Sequence, residues 1–529
     1  GKFEIYMEHF DEYQKIINTF ETAWSSRVDE SIMRLISQDN WKLPNDYQVI
    51  CPILAKFDEK ILNIRIHLMR LLNNEIDYLF SSTNINNIHL PLSQILIKAS
   101  PAILLNIKQE KIWAQLPENK RQLSVVFNRS KAALAINNSS DPRGVLLIDQ
   151  LMNQIPMDKL SHLNQTNRPP WHVTLEGEGA SDAGGPGREL FTSICTEIID
   201  VRAGLFTVTP NRRREQGPNQ DVLIPNVKIL YKSPSNPSDS ELESSEESNI
   251  DAHRLSQYFY IGVLMGAAFP SKLPQPFFFA NFIWSFLIGR EVSIEDIYEI
   301  DEEFHHTMTS IKTCEPSVPF SEIYNHNFTL TNSFGETVEL IQGGTYKNVD
   351  YDNRLEYCRL CEEYRCHEFD LPLKTMRAGL TLILADSLLR LLSPWEIKML
   401  LCGDTDIPVN ELRKRCHVQS GSNEDVDMLF RILERFTSSE RMLFIKFTTG
   451  RMSLPPPGLN WSSPLNIRFQ NFPRPDSQLP HAATCSNSIT IPIYSSEEIF
   501  ERMLRIAIIY GADIDQDNEP NLTEAVNLA

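Results

Sequence analysis

Apolar positions recur at two different periods along this chain, and the change of period divides it. Between Lys56 and Phe80, the residues Ile61, Ile64, Ile66, Leu68, Leu71 and Leu72 recur at roughly helical spacing, which predicts a helix. Residues 92–107 form a second apolar, partly periodic stretch, so residues 1–168 read as a mostly helical N-terminal region. Arg168-Pro169-Pro170 breaks the pattern, because consecutive prolines donate nothing to a ladder. An extended segment over 171–175 follows, then a glycine-rich turn and a helix over about 187–200. Further helices are predicted over 252–269, 277–289, 353–368, 375–392 and 394–402. Residues 488–494 then alternate apolar and polar, as a half-buried strand does. The last helix opens on the capping box Ser495-Ser496-Glu497-Glu498, carries Ile499, Met503, Ile506, Ala507 and Tyr510 on one stripe, and stops at Gly511. Residues 233–249 are acidic and rich in Ser and Pro; they hold too little apolar surface to fold and are expected to be disordered.

The chain has 529 residues, too many for one core, so two to four domains are expected. Apolar residues make up 42% and charged residues 22%, the balance of a soluble globular protein. A net charge of −19 argues against a nucleic-acid surface. The basic triplet Arg212-Arg213-Arg214 reads as a solvated loop. No apolar run reaches 18 residues, so no membrane span is predicted. Nine scattered cysteines read as reduced thiols of an intracellular protein, which gives a cytoplasmic expectation with the nucleus open. The chain opens on Gly1 without a methionine or signal peptide and reads as the C-terminal part of something longer.

Most of these cysteines lie in apolar or helical segments, but Cys485 stands on a polar turn between Thr484 and Ser486, just before the alternating run. A thiol in that position can meet another protein, and its thiolate is a good nucleophile. The segment Leu479-Pro480-His481-Ala482-Ala483-Thr484-Cys485 resembles the active-site segment of HECT-type ubiquitin ligases. Three further blocks stand in the family's order: Val173 to Gly179 with Asp182-Ala183-Gly184-Gly185 and Arg188-Glu189; Tyr258 to Ala268; and Leu443 to Gly450. Arg65-Ile66-His67-Leu68 and the stretch from Val126 to Ala132 resemble, more loosely, the region before that domain in large HERC-like ligases.

The resemblance implies an α+β fold. A bilobal HECT domain follows the helical region 1–168: a mostly helical N-lobe with small β hairpins at 169–403, and an α/β C-lobe at 404–529. Within the N-lobe it implies a conjugating-enzyme-binding subdomain at about 292–368 and a disordered insertion at about 233–250, with a hinge at Gly403. Cys485 would accept ubiquitin from a conjugating enzyme as a thioester and pass it to a substrate lysine, with no metal and no cofactor. Thr484 and Asn487 match family positions beside the nucleophile, and His481, four residues before it, is a candidate base. Tyr357, Phe304, Met308 and Phe328 fall on positions that contact the conjugating enzyme. The implied partners are ubiquitin, that enzyme and protein substrates. Ser486, and Val526 at the fourth position from the end, depart from the family, which often has phenylalanine at both.

Other chemistries fit the residues less well. Gly177 to Gly187 lacks the lysine of a phosphate-binding loop. Cys358, Cys361, Cys366 and His367 lie on one expected helix, which cannot wrap four ligands around a zinc ion. A ubiquitin-removing cysteine hydrolase would need a positioned histidine and its orienting partner, for which His481 alone stands. A non-catalytic interaction scaffold is the other alternative.

Overall fold

The structure, a computed structural model, describes residues 24–36, 40–117, 120–138, 142, 144–177, 185–230, 250–316, 320–405, 407–455 and 463–510. The acidic segment 233–249 and the tail with Val526 lie outside the described residues. The chain divides into two units, Gly1–Gln115 with Leu384–Ile397, and Leu116–Ile383 with Lys398–Ala529.

The first unit is helical: α1 (Ser26–Leu35), α2 (Glu59–Ser81), α3 (Pro91–Ala99) and α4 (Leu105–Ala114). Asp58 caps α2 by accepting from the Lys60 amide at 2.8 Å. The buried stripe of α2 is Leu62, Ile66, Met69, Asn73, Ile76 and Phe80. Of the positions read from the sequence, only Ile66 belongs to it; Ile61, Ile64, Leu68, Leu71 and Leu72 flank it half-buried. Runs of consecutive apolar residues blur the phase of a helix even where they announce the helix itself. Leu62, Ile66 and Met69 share a core with Val28 and Ile32 of α1. Lys108 of α4 reaches the Glu396 carboxylate at 2.7 Å, a buried ion pair that ties the 384–397 segment into this unit. Glu396 also accepts the Ser393 amide, so its charge is doubly compensated.

The second unit begins with β1 (Leu123–Phe127), then α5 (Leu147–Gln154), β2 (Trp171–Leu175) and α6 (Gly185–Ile199). β1 and β2 pair in parallel, Leu123 opposite Trp171 and Phe127 opposite Leu175. The ladder therefore joins chain on both sides of the Arg168-Pro169-Pro170 break. Trp171 is fully buried, its indole edge-on to Phe191 of α6. A short antiparallel pair follows, β3 (Phe206–Val208) with β4 (Leu223–Pro225). α7 (Ala252–Ser271) is capped by the Asp251 side chain and is buried almost all round from Tyr260 onward. An apolar surface on every side marks a helix at the centre of a domain.

Past α7 come α8 (Glu302–Lys312), the hairpin β5 (Thr329–Thr331) with β6 (Thr337–Glu339), and α9 (Arg354–His367). α10 (Asp370–Ile383) then crosses α7 closely. The stretch 375–392, read as one helix, breaks after Ile383, resumes as a single turn at Asp386–Leu389, and is followed by α11 (Pro394–Cys402).

The C-terminal part is an α+β module with its own hydrophobic core, drawn from Ile407 to Ile508. Its sheet runs in the order β7 (Cys416–Ser420), β8 (Leu465–Gln470), β10 (Ser488–Pro492), β9 (His481–Ala483). The first three strands are parallel and β9 is antiparallel to β10. α12 (Asn423–Arg435) and α13 (Ser438–Thr449) form the crossover from β7 to β8, each opened by a capping box. α14 (Glu497–Tyr510) closes the module with Phe500, Met503, Leu504, Ala507 and Ile508 buried.

Candidate active site

Cys485 stands in the connection between β9 and β10. The register pairs Ala483 with Ser488, which leaves Thr484, Cys485, Ser486 and Asn487 as a four-residue hairpin turn. Thr484–Ser486 form one 3-10 turn and Asn487 takes φ 46° and ψ 57°, the left-handed region. A four-residue hairpin needs one residue there to reverse the chain, and asparagine tolerates that conformation better than other non-glycine residues. The backbone of Cys485 is thus fixed by a sheet edge on each side; its side chain lies outside the described residues.

Asn487 is buried, and every one of its polar groups is used. Its amide donates to the Thr484 carbonyl at 3.3 Å and its carbonyl accepts from the Asn466 amide of β8 at 2.8 Å. Its Nδ2 donates to Ser463 Oγ and to the Ser463 carbonyl, both at 3.0 Å. Its Oδ1 accepts from Arg451 Nη1 at 3.2 Å. Arg451 follows Gly450, the left-handed residue that ends α13, where a Cβ would stand 3.8 Å from Thr484 Cβ. The end of α13 therefore lies directly against the turn. Burial, and then the nearby charge of Arg188, push the Arg451 guanidinium down to about 10.

The other expected residues are placed as follows. Thr484 is exposed and its carbonyl closes the turn. His481 is exposed on β9 opposite Thr490. Gly403, at φ +72°, ends α11 and donates to the Met399 carbonyl at 2.9 Å. Asp404 and Leu454 then exchange amide-to-carbonyl bonds at 2.9 and 3.0 Å, which stitch the chain leaving α11 to the loop after α13. Arg451 and Ser463 were not singled out in the sequence; a lone arginine after a helix-ending glycine carries no spacing signal.

Phe304, Met308, Phe328 and Tyr357 are all buried in the 292–368 subdomain. Tyr357 stacks edge-on with Phe328 and donates to the Thr329 carbonyl at 3.1 Å. The Arg365 guanidinium lies 4.6 Å from the centre of the Phe304 ring. Among the described residues of 292–368, the large apolar side chains that are exposed are instead Ile323, Tyr346 and Leu355. Burial pushes the thiols of Cys358 to about 11, Cys361 to about 12 and Cys366 to about 11. Among the described residues no three His, Cys, Asp or Glu side chains converge on a possible metal position.

The arginine triplet is exposed, as its solvated reading expects, but it lies on a helix and not in a loop. Arg212, Arg213 and Arg214 end a short helix, Pro210–Arg214, capped by Thr209. Arg213 donates to the Ser333 carbonyl and Arg214 pairs with Asp301 at 2.8 Å. Asp301 and Glu368 also hold the buried Arg365, so the base of the subdomain is a charge network. Of the Arg188-Glu189 pair, Glu189 meets Arg129 at 2.5 Å, while Arg188 neighbours Arg451.

Comparison with known proteins bears on the same residues. The family model "HECT-domain (ubiquitin-transferase)" matches residues 192–515. The chain is 29% identical to human "E3 ubiquitin-protein ligase HERC2" over 353 residues, which is 66% of this chain and 7% of that protein. It is 29% identical to human "Apoptosis-resistant E3 ubiquitin protein ligase 1" over 365 residues, 65% of this chain and 40% of that protein. Against "E3 ubiquitin-protein ligase TOM1" of Saccharomyces cerevisiae the identity is 22% over 460 residues, 82% of this chain and 13% of that protein. The chain thus spans less than half the length of these relatives. No helix among the described residues is long and apolar enough to cross a membrane.

Proposed function

The chain belongs to the HECT-domain family of ubiquitin transferases, and from that membership we propose that Cys485 carries ubiquitin as a thioester on its way to a substrate lysine. The Cys485 thiolate attacks the carbonyl carbon of the thioester that joins ubiquitin to a conjugating enzyme. A sulfur–carbon bond forms, and the enzyme's sulfur leaves as its thiolate. A lysine amine then attacks the new thioester, Cys485 leaves as thiolate, and the amine proton passes to solvent. The first step exchanges like for like; the second forms an isopeptide bond and runs downhill. Neither needs a metal or a cofactor.

The observation that supports this reading best is the hairpin turn: a cysteine at the tip of two paired strands, its turn closed by a buried, fully hydrogen-bonded Asn487. A rigid scaffold presenting a loop nucleophile suits a reaction between two macromolecules. Thr484 borders the acceptor sulfur in this reading, and His481 is near enough in sequence to serve as a base. The subdomain at 292–368 receives the conjugating enzyme, with Phe304, Met308, Phe328 and Tyr357 as the packed floor beneath that surface. The catalytic domain divides at Gly403 into N- and C-lobes, and motion about that point brings Cys485 to the docked thioester.

Incubating the protein with ubiquitin-charged conjugating enzyme tests this. The expected product is a ubiquitin adduct cleaved by thiol reductant, replaced in Cys485→Ser by an oxygen-linked adduct that survives reductant. A wild-type protein that never acquires reducible ubiquitin, or a Cys485→Ala variant that still does, overturns the assignment.

A further inference from the structure

We propose that Arg451 is a positioning residue for acyl transfer, acting through Asn487 on the turn that carries Cys485; the inference rests on the thioester reading above. Arg451 is 8% exposed, and among the described residues it forms no ion pair with a carboxylate. Burying a guanidinium without a counter-charge is unfavourable, so its place in the fold calls for a compensating role. Its side-chain contact is Asn487 Oδ1 at 3.2 Å. Asn487 is the one residue of the turn in the left-handed region, and its amide, carbonyl and Nδ2 are already committed to Thr484, Asn466 and Ser463. The bond from Arg451 fills the remaining acceptor and fixes the side-chain amide in one orientation. That orientation anchors the turn on three sides: to β8, to the loop before it, and to the end of α13.

Asparagine tolerates this backbone angle better than most residues, but the conformation is held against alternatives by its contacts. Removing the Arg451 donor leaves Asn487 Oδ1 buried and unsatisfied. The turn then gains freedom to reorient, and Cys485, two residues away, loses its fixed approach. Misplacement of a reacting group by an ångström lowers rates by up to about a hundredfold. The second cation nearby, Arg188, bears on the charge of Arg451 but has no part in the bond to Asn487.

Single-turnover loading from charged conjugating enzyme, in the full chain, measures the effect. Arg451→Met is expected to lower the maximal loading rate at least about tenfold, with the concentration of charged enzyme giving half-maximal rate unchanged. Arg451→Lys keeps a cationic donor only one bond shorter and should retain more than about a third of the rate. Asn487→Ala, which also loses the bonds to Ser463, should cost at least as much as Arg451→Met, and the double variant should fall no further than Asn487→Ala, since the two act on one element. Thermal melting checks that each variant is folded; should Arg451→Met fail to fold, the lysine variant and Asn487→Ala still decide the matter. The proposal is overturned if wild type and Arg451→Met load equally fast, if Lys is no better than Met, or if the losses of the double variant add. A wild type that never acquires reducible ubiquitin fails earlier and brings down the thioester reading itself.

Discussion

Glu197 is a carboxyl group that the fold keeps out of water, and it makes the stability of this protein depend on pH. It sits on α6 and accepts the Leu147 and Ile148 amides at the start of α5, at 2.9 and 3.2 Å. Burial outweighs those two bonds and pushes the group up to about 8. A carboxyl whose folded value lies above its unfolded value holds its proton more tightly when folded. Its contribution to stability is therefore complete below the ordinary glutamate range and is lost as pH rises through about 8. Glu197→Gln removes the ionisation and keeps an acceptor for the amides. Melting of wild type should fall more steeply between pH 5 and 8.5 than melting of the glutamine variant; parallel curves would show that Glu197 ionises freely. Single residues were legible in the sequence where a motif surrounds them. Cys485 stood out as a thiol on a polar turn before a strand, and Thr484 and Asn487 through the family resemblance of the segment around it. Arg451 did not, since its role arises from α13 ending against a turn 36 residues later.

Where two elements must approach closely, glycine decides the matter. Gly262 of α7 faces α10 so tightly that a Cβ would stand 1.8 Å from the Met376 carbonyl oxygen. On the other side, a Cβ at Gly379 of α10 would stand 2.0 Å from the Phe259 carbonyl oxygen. Both obstacles are backbone, so neither can swing aside. Gly379→Ala is expected to destabilise the N-terminal part of the second unit by about 3 kcal/mol or more, because overpacking a tight core typically costs 1–3 kcal/mol even where side chains can adjust. Urea denaturation measures it; a midpoint within error of wild type would mean that the helices are free to separate. The elements themselves were readable in proportion to how local their signal is. The helices at 353–368 and 394–402 and the last helix stand within two residues of their reading, as Arg354–His367, Pro394–Cys402 and Glu497–Tyr510. β1 was missed: five residues lying in a helical region, their partner strand following only after residue 170. No local periodicity announces a parallel pair so separated. The close crossing of α7 and α10 was equally hidden, for a glycine within a helix reads locally as a weakness.

At the scale of the whole molecule, the chain enters the C-terminal module that carries Cys485 through a short tether after α11. The tether has a defined geometry: Gly403 at φ +72°, the mutual bonds of Asp404 and Leu454, then buried Ile407 at φ +47°. Gly403 adopts the left-handed region freely, but a β-branched residue there, Ile407, is strain that the surrounding contacts must hold. Gly403 is the more tightly specified, since a Cβ there would stand 2.2 Å from the Leu454 carbonyl oxygen. That same oxygen accepts the Asp404 amide. Gly403→Ala must therefore displace the bond that fixes the tether's starting angle, and it places alanine in a conformation that costs about 1 kcal/mol. If transfer requires the module to swing toward a docked thioester, the substitution acts on the swing and leaves the proposed docking surface at 292–368 untouched. The expected outcome is a several-fold slower loading of Cys485 with unchanged affinity for the conjugating enzyme, measured side by side by single-turnover transfer and direct binding. An unaltered loading rate would remove the tether from the reaction. A parallel loss of affinity would place its effect on the fold of the N-terminal part, and the proposed motion about Gly403 would lose its support.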